Sequence, residues 1–257
     1  MSMGLDDWFR LASALGFDGT EIHERSLASF DKDYLQDIVE AVKSNNLQVS
    51  QLICATDFTN PDPILRDREV QTLKQYIDAS SLLDGCCLRI TAGQVYPDIP
   101  RELTISWVVD CFRRCLEYAL NKEVLLAYEN HYQDYFWERP DFSMKHEIYL
   151  EILDQLEDTH LKVNFDCANP IMIGEDPSIL LLRVLDRIVH VHCSDRATLY
   201  DYTHSVPGEG LVDFKSIFNT LKKAGWDGWL SIEYNGVEGV DGLRRASTFI
   251  RKAWEEA

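Results

Sequence analysis

Four residues of this chain could do chemistry together. Glu129, Asp166, His192 and Glu233 each close a short apolar run: Val124-Leu-Leu-Ala-Tyr-Glu129, Val163-Asn-Phe-Asp166, Val189-His-Val-His192 and Leu230-Ser-Ile-Glu233. Three carboxylates and one imidazole make a hard, oxygen-rich donor set. Brought to one place, they suit one divalent metal ion, Mn²⁺, Mg²⁺ or Co²⁺, with Zn²⁺ as a further option. Any single strand-end carboxylate has an ordinary reading as a helix cap or loop anchor. Four such residues on four consecutive runs point to a site.

The elements that must position them alternate from end to end. Helical patterns cover 4–15, 31–46, 62–83, 103–121, 144–157, 177–186, 213–224 and 240–256, and strand patterns cover 19–24, 48–55, 87–92, 124–130, 161–166, 188–193 and 229–234. Short runs rich in Val, Ile and Leu, separated by helix-length segments, read as parallel strands of an α/β barrel, and residues at the C-terminal ends of such strands share one mouth. Asp62-Pro63 and Asp176-Pro177 are start signals for the third and sixth helices, and Ser143 or Asp141 for the fifth. Gly225 and Gly228 mark the hand-over from the seventh helix to the last strand. Alternation places Ala127 and Leu125 on the face of Glu129, Asn164 on that of Asp166, His190 on that of His192 and Ser231 on that of Glu233. The stretches 130–143 and 194–212 are the candidate substrate loops. The first carries Tyr132, Tyr135, Phe136 and Trp137. One domain over 1–257 is expected. Eight helices but only seven strands are counted, and the pattern opens on a helix, so a first strand is missing. The flank it leaves is expected to be open, covered by a neighbouring element, or completed by a homo-oligomer or other partner.

The chain has 257 residues and a net charge of −18. Such acidity speaks against nucleic acid or an anionic membrane as partner, since both call for a basic face. Seven cysteines, with no CxxC pair, imply buried small residues and not a disulfide framework. Cys111 and Cys115 fall on one helix face, and Cys167 and Cys193 should point away from the mouth. No leader and no long apolar run is apparent, which gives a cytoplasmic expectation.

Taken in order, the motifs resemble the xylose isomerase-like TIM-barrel superfamily of sugar isomerases and epimerases. They are Gly16-Phe-Asp-Gly-Thr-Glu-Ile22, Glu129-Asn-His131, Asn164-Phe-Asp-Cys-Ala-Asn169, His190-Val-His-Cys-Ser-Asp195, Pro207-Gly-Glu-Gly210 with Val212-Asp-Phe214, and Ser231-Ile-Glu233. The resemblance implies a (β/α)8 TIM barrel, here short of its first strand. It also implies that Glu129, Asp166, His192 and Glu233 ligate the metal. Glu129 and Glu233 would double as the acid–base pair, moving a proton through a metal-stabilised enediolate of a carbohydrate substrate, sugar or sugar phosphate. A second branch implies a dehydratase or lyase acting on a keto-polyol or cyclic keto acid of inosose or dehydroshikimate type. A third reading is an inactive or partner-dependent subunit.

The chain departs from the family in one place: many epimerases carry a histidine where this chain has Asn169. The endonuclease branch needs further histidines that the stretches 51–56 and 88–93 lack. His204 matches one endonuclease position and is read as a substrate-loop or surface histidine. Further substrate-binding candidates are His131, Asn169, Arg196 and His23. Arg196 suits a hydroxyl, carboxylate or phosphate. His190 reads as a packed or supporting histidine, Lys162 as a core-edge ion pair, and Glu209 as structural.

Overall fold

A computed structural model describes residues 3–85 and 87–257. Its regular elements are α1 (Leu5–Ala14), β1 (Gly19–His23), α2 (Lys32–Ser44), β2 (Gln48–Ile53), α3 (Pro63–Leu82), β3 (Leu88–Ile90), α4 (Arg101–Asn121), β4 (Leu126–Glu129), α5 (His146–Asp154), β5 (Lys162–Asp166), α6 (Pro177–Val184), β6 (Ile188–Cys193), α7 (Phe214–Lys223), β7 (Trp229–Ile232) and α8 (Gly239–Glu256). Among the described residues no strand precedes α1, in agreement with the seven-strand expectation.

The chain divides into two compact units, Met1–Tyr128 with Ile152–Leu161, and Glu129–Glu151 with Lys162–Ala257. In the first, β1, β2, β3 and β4 pair in parallel in chain order, with Ile22 opposite Leu52, Leu52 opposite Leu88 and Leu88 opposite Leu126. Parallel strands that follow one another in sequence need a crossover, and α2, α3 and α4 provide it. The amphipathic face of α4 buries Ile105, Val108, Cys111, Phe112 and Cys115. Phe112 meets Phe58 and Tyr128 edge-on, with centroids 5.6 and 5.1 Å away. Removing each such ring from water contributes about 1.5–3 kcal/mol.

The second unit holds β5, β6 and β7, again parallel and in order, with Asp166 opposite His192 and His192 opposite Ser231. This register brings the polar strand ends level with one another. Helix α7 buries Phe214, Ile217, Phe218 and Leu221. Trp226 fastens the entry to β7 by donating its indole N–H to the Ile188 carbonyl at 2.9 Å. Cys167 and Cys193 are fully buried, and burial, followed by the neighbouring Cys193, pushes the Cys167 thiol well above its usual range. The six described cysteines are all buried and none of them is in a disulfide; Cys86 lies outside the described residues. No helix among the described residues is long and apolar enough to cross a membrane.

The start signals act as expected: Asp62 and Asp176 accept the amides of Ile64 and Ser178, each ahead of a proline in the first turn. Gly225 takes a left-handed φ of 73° just past α7. Several expectations need correction. α5 is shorter than 144–157, because Asp141 Oδ1 closes a local turn on the Ser143 amide and hydroxyl, both at 2.7 Å, ahead of the helix. Leu125 precedes β4 and is 39% exposed, so it is not part of an inward layer. Lys162 is half-buried with no ion pair to an acidic group among the described residues.

Candidate metal centre

Glu129 and Asp166 close β4 and β5, His192 is the penultimate residue of β6, and Glu233 stands one residue past β7. All four belong to the second unit, and one ligand atom from each lies within 4.8 Å of the others. His192 Nδ1 is 3.0 Å from Glu129 Oε1 and 3.2 Å from Glu233 Oε2. That nitrogen carries at most one proton, so it can donate to only one of the two carboxylates.

Asp166 is held from several directions. Its Oδ1 accepts the amides of Ala168 and Asn169 at 2.8 and 2.5 Å, and its Oδ2 accepts the Ser194 hydroxyl at 2.8 Å. The Asn130 side chain brackets its backbone, donating to the Asp166 carbonyl and accepting from its amide at 2.9 and 2.8 Å. Burial, followed by repulsion from Glu233 and Glu129, pushes the Asp166 carboxyl up to about 7. For Glu233 desolvation acts in the same direction. The hydrogen bond and charge of His192, joined by the charges of His204 and Arg196, outweigh it and hold that carboxyl well below the usual range.

Up to three negative charges therefore surround one imidazole, in a setting where Glu129, Asp166 and His192 are 0–2% exposed. Uncompensated buried carboxylates are costly, and a divalent cation among them relieves both the desolvation and the mutual repulsion. The donor set fits such an ion: one imidazole nitrogen and carboxylate oxygens, with a supporting hydrogen-bond shell that fixes Asp166. The Glu233 side chain keeps 45% exposure, so solvent reaches the cluster on that side.

The structure separates the other sequence-derived candidates. His131, 8% exposed, sits 3.4 Å from the fully buried Asp141 and edge-on to Trp137. Asn169 opens the turn after β5 through its amide to Asp166. His204 Nδ1 meets the Glu233 carbonyl at 3.1 Å, and the residue forms an isolated antiparallel bridge with Arg196. Burial lowers the His204 pKa despite the nearby Glu233 charge. His23 belongs to the first unit, where its Nδ1 contacts the Glu24 carboxylate and accepts the Arg25 amide. Glu209 forms a surface ion pair with Arg245 at 2.8 Å. His190 is fully buried.

Sequence reading gave no site role to Asn130 or Ser194, read Asp141 only as a helix cap, and named Tyr132 only as a loop aromatic, without the partner Tyr202 whose hydroxyl it meets at 2.5 Å between the two long loops. Ser194 alone had a signal: two residues past His192, it shares that residue's face of the strand.

A stretch of 85 residues is 34% identical to an inosose dehydratase of Lacticaseibacillus casei, covering 27% of this chain and 28% of that protein. The chain is thus matched to well under a third of that relative's length. The fold is similar to that of a D-psicose 3-epimerase with D-tagatose from Clostridium cellulolyticum H10, at 14% identity, TM-score 0.81, covering 98% of this chain and 94% of that one. It is also similar to that of a probable 3-DHS dehydratase from Bacillus anthracis, at 16% identity, TM-score 0.80 and coverage of 98% and 94%. Residues 9–253 match the family described as xylose isomerase-like TIM barrel, and the chain belongs to that family of α/β barrels.

Proposed function

We propose that the chain is a divalent-metal-dependent isomerase or epimerase of a sugar, sugar phosphate or related keto-polyol, with Glu129, Asp166, His192 and Glu233 as ligands. The observation that carries this reading is the convergence of those three carboxylates on one imidazole within 4.8 Å. When bound, a divalent ion acts as a Lewis acid toward a substrate oxygen and stabilises the charge that develops there. Mn²⁺, Mg²⁺ and Co²⁺ match the hard donor set better than Zn²⁺ does.

Glu129 and Glu233 flank His192 Nδ1 at 3.0 and 3.2 Å, so two carboxylates are available to the two faces of one substrate carbon. One removes the proton beside a carbonyl and the other returns it to the opposite face, the requirement for inverting a stereocentre. Glu233 is the solvent-accessible member of the pair, and Glu129, 1% exposed, is shielded from bulk water. His131, Asn169, Arg196 and His204, which follow the ligand-bearing strand ends in sequence, are assigned as substrate contacts.

A second reading is dehydration of a keto-polyol, favoured by the 34% match to an inosose dehydratase. It starts with the same proton removal and differs in the departure of a neighbouring hydroxyl. Incubation with keto-sugars and keto-inositols in D₂O with Mn²⁺, read by mass spectrometry, separates the two. One deuterium gained with carbon skeleton and oxygens intact is expected for the first reading, and loss of a water for the second. Absence of both across neutral, acidic and phosphorylated ketoses would remove the enolising chemistry altogether.

A further inference from the structure

Arg196, four residues past His192, is 3% exposed. Buried charges are ordinarily paired and their donors satisfied. Nη1 donates to the Asp195 carbonyl at 2.9 Å, Nη2 reaches only the Met172 thioether at 3.4 Å, and Nε has no hydrogen-bond partner. No carboxylate pairs with this guanidinium among the described residues. Its neighbour Asp195 is the obvious counter-ion, but that carboxylate is occupied by the backbone. Oδ1 accepts the amides of Arg196 and Val212, and Oδ2 those of Gly208 and Gly210, at 2.9–3.1 Å.

The same loop is tied to the metal cluster. Arg196 bridges to His204, and His204 meets the carbonyl of Glu233. Met172 lies in the turn that begins at Asn169, whose amide holds Asp166. Arg196 is thus fixed beside the cluster with its Nε–Nη2 edge lacking a strong acceptor. Those two groups donate in parallel, the edge that matches two oxygens of a carboxylate or phosphate. At a net charge of −18, the chain as a whole repels anions, so an anionic substrate requires a local, desolvated cation of this kind.

We infer that Arg196 seats an anionic substituent, a carboxylate or a phosphate, on the molecule that the metal cluster acts on. This rests on the reading of that cluster as an active site, and it narrows the substrate class to acidic or phosphorylated keto-polyols.

The test compares D-fructose, D-fructose 6-phosphate and 5-keto-D-gluconate as ligands of the Mn²⁺-loaded protein by calorimetry, alongside inorganic phosphate. At least a tenfold preference for one of the two charged sugars over fructose is expected, and which of them is preferred tells phosphate from carboxylate. Arg196→Met should abolish the preference. Its melting temperature, followed alongside, checks that the variant remains folded. Arg196→Lys keeps the charge but loses the two-point geometry, and should cut the preference several-fold without unfolding. Equal binding of all three sugars by wild type, or a preference that survives in Arg196→Met, overturns the inference. Solvent deuterium entering fructose with no charge preference would sink this inference alone. Failure to bind metal, with phosphate still binding in an Arg196-dependent way, would sink the reading of the cluster alone.

Discussion

His192 Nδ1 faces two carboxylates with one proton to give, and that imbalance organises the site at the scale of single residues. Glu129→Gln and Glu233→Gln each keep the side-chain shape and remove a base. Each should lower kcat for proton exchange by about 10²–10⁴-fold, the range general acid–base groups contribute. Steady-state rates in D₂O check this. Ser194→Ala leaves Asp166 Oδ2 without its hydroxyl donor and should weaken metal affinity by about 10–100-fold while the fold is kept, as measured by metal titration. The quartet was legible in the sequence because each member ends an apolar run. Asn130 and Asp141 were not: their roles come from contacts with Asp166 and His131 that only the folded loops create.

At the scale of elements, the strand and helix order was readable from alternating apolar runs and from start signals such as Asp62-Pro63, whereas element ends shifted wherever a side chain made its own turn, as Asp141 does before α5. Two devices are testable. A Cβ at Gly210 would come within 2.3 Å of Asp195 Oδ1 and 2.4 Å of the Arg196 carbonyl. Gly210→Ala should therefore loosen the loop that carries Arg196 and destabilise by roughly 1–3 kcal/mol, read by chemical denaturation. In the first unit, Glu69 on α3 accepts the Asp57 amide at 3.3 Å. Burial, aided by the charges of Asp57 and Glu24, pushes its carboxyl up from 4.5 to about 7. A carboxyl raised in the folded state supports stability fully below its unfolded pKa and loses that support as pH rises through its folded one. Glu69→Gln should thus be close to neutral at pH 4 and stabilising at pH 8, by on the order of 2–3 kcal/mol, with the gain appearing between pH 4.5 and 7. A melting-temperature difference that does not change over that range would contradict the assignment.

At the scale of the whole molecule, the acidic chain concentrates cations, and the cluster gives one of them a specific seat. An ion that binds only the folded state stabilises it by mass action, about 2.7 kcal/mol at a hundredfold excess over Kd. Chelation should lower the melting temperature of wild type and leave an Asp166→Asn, His192→Ala double variant unmoved. The barrel class and the family were legible from the ordered motifs. Which ketose the mouth accepts was not, since that depends on how the loops 130–143 and 194–212 fold over the strand ends. The central claim, a single divalent metal centre built from Glu129, Asp166, His192 and Glu233, is tested most directly by the metal content of protein dialysed against Mn²⁺, measured by inductively coupled plasma mass spectrometry. One Mn²⁺ per chain, falling to none in the double variant, is the predicted result; no bound metal in wild type, or full occupancy in the variant, would contradict it.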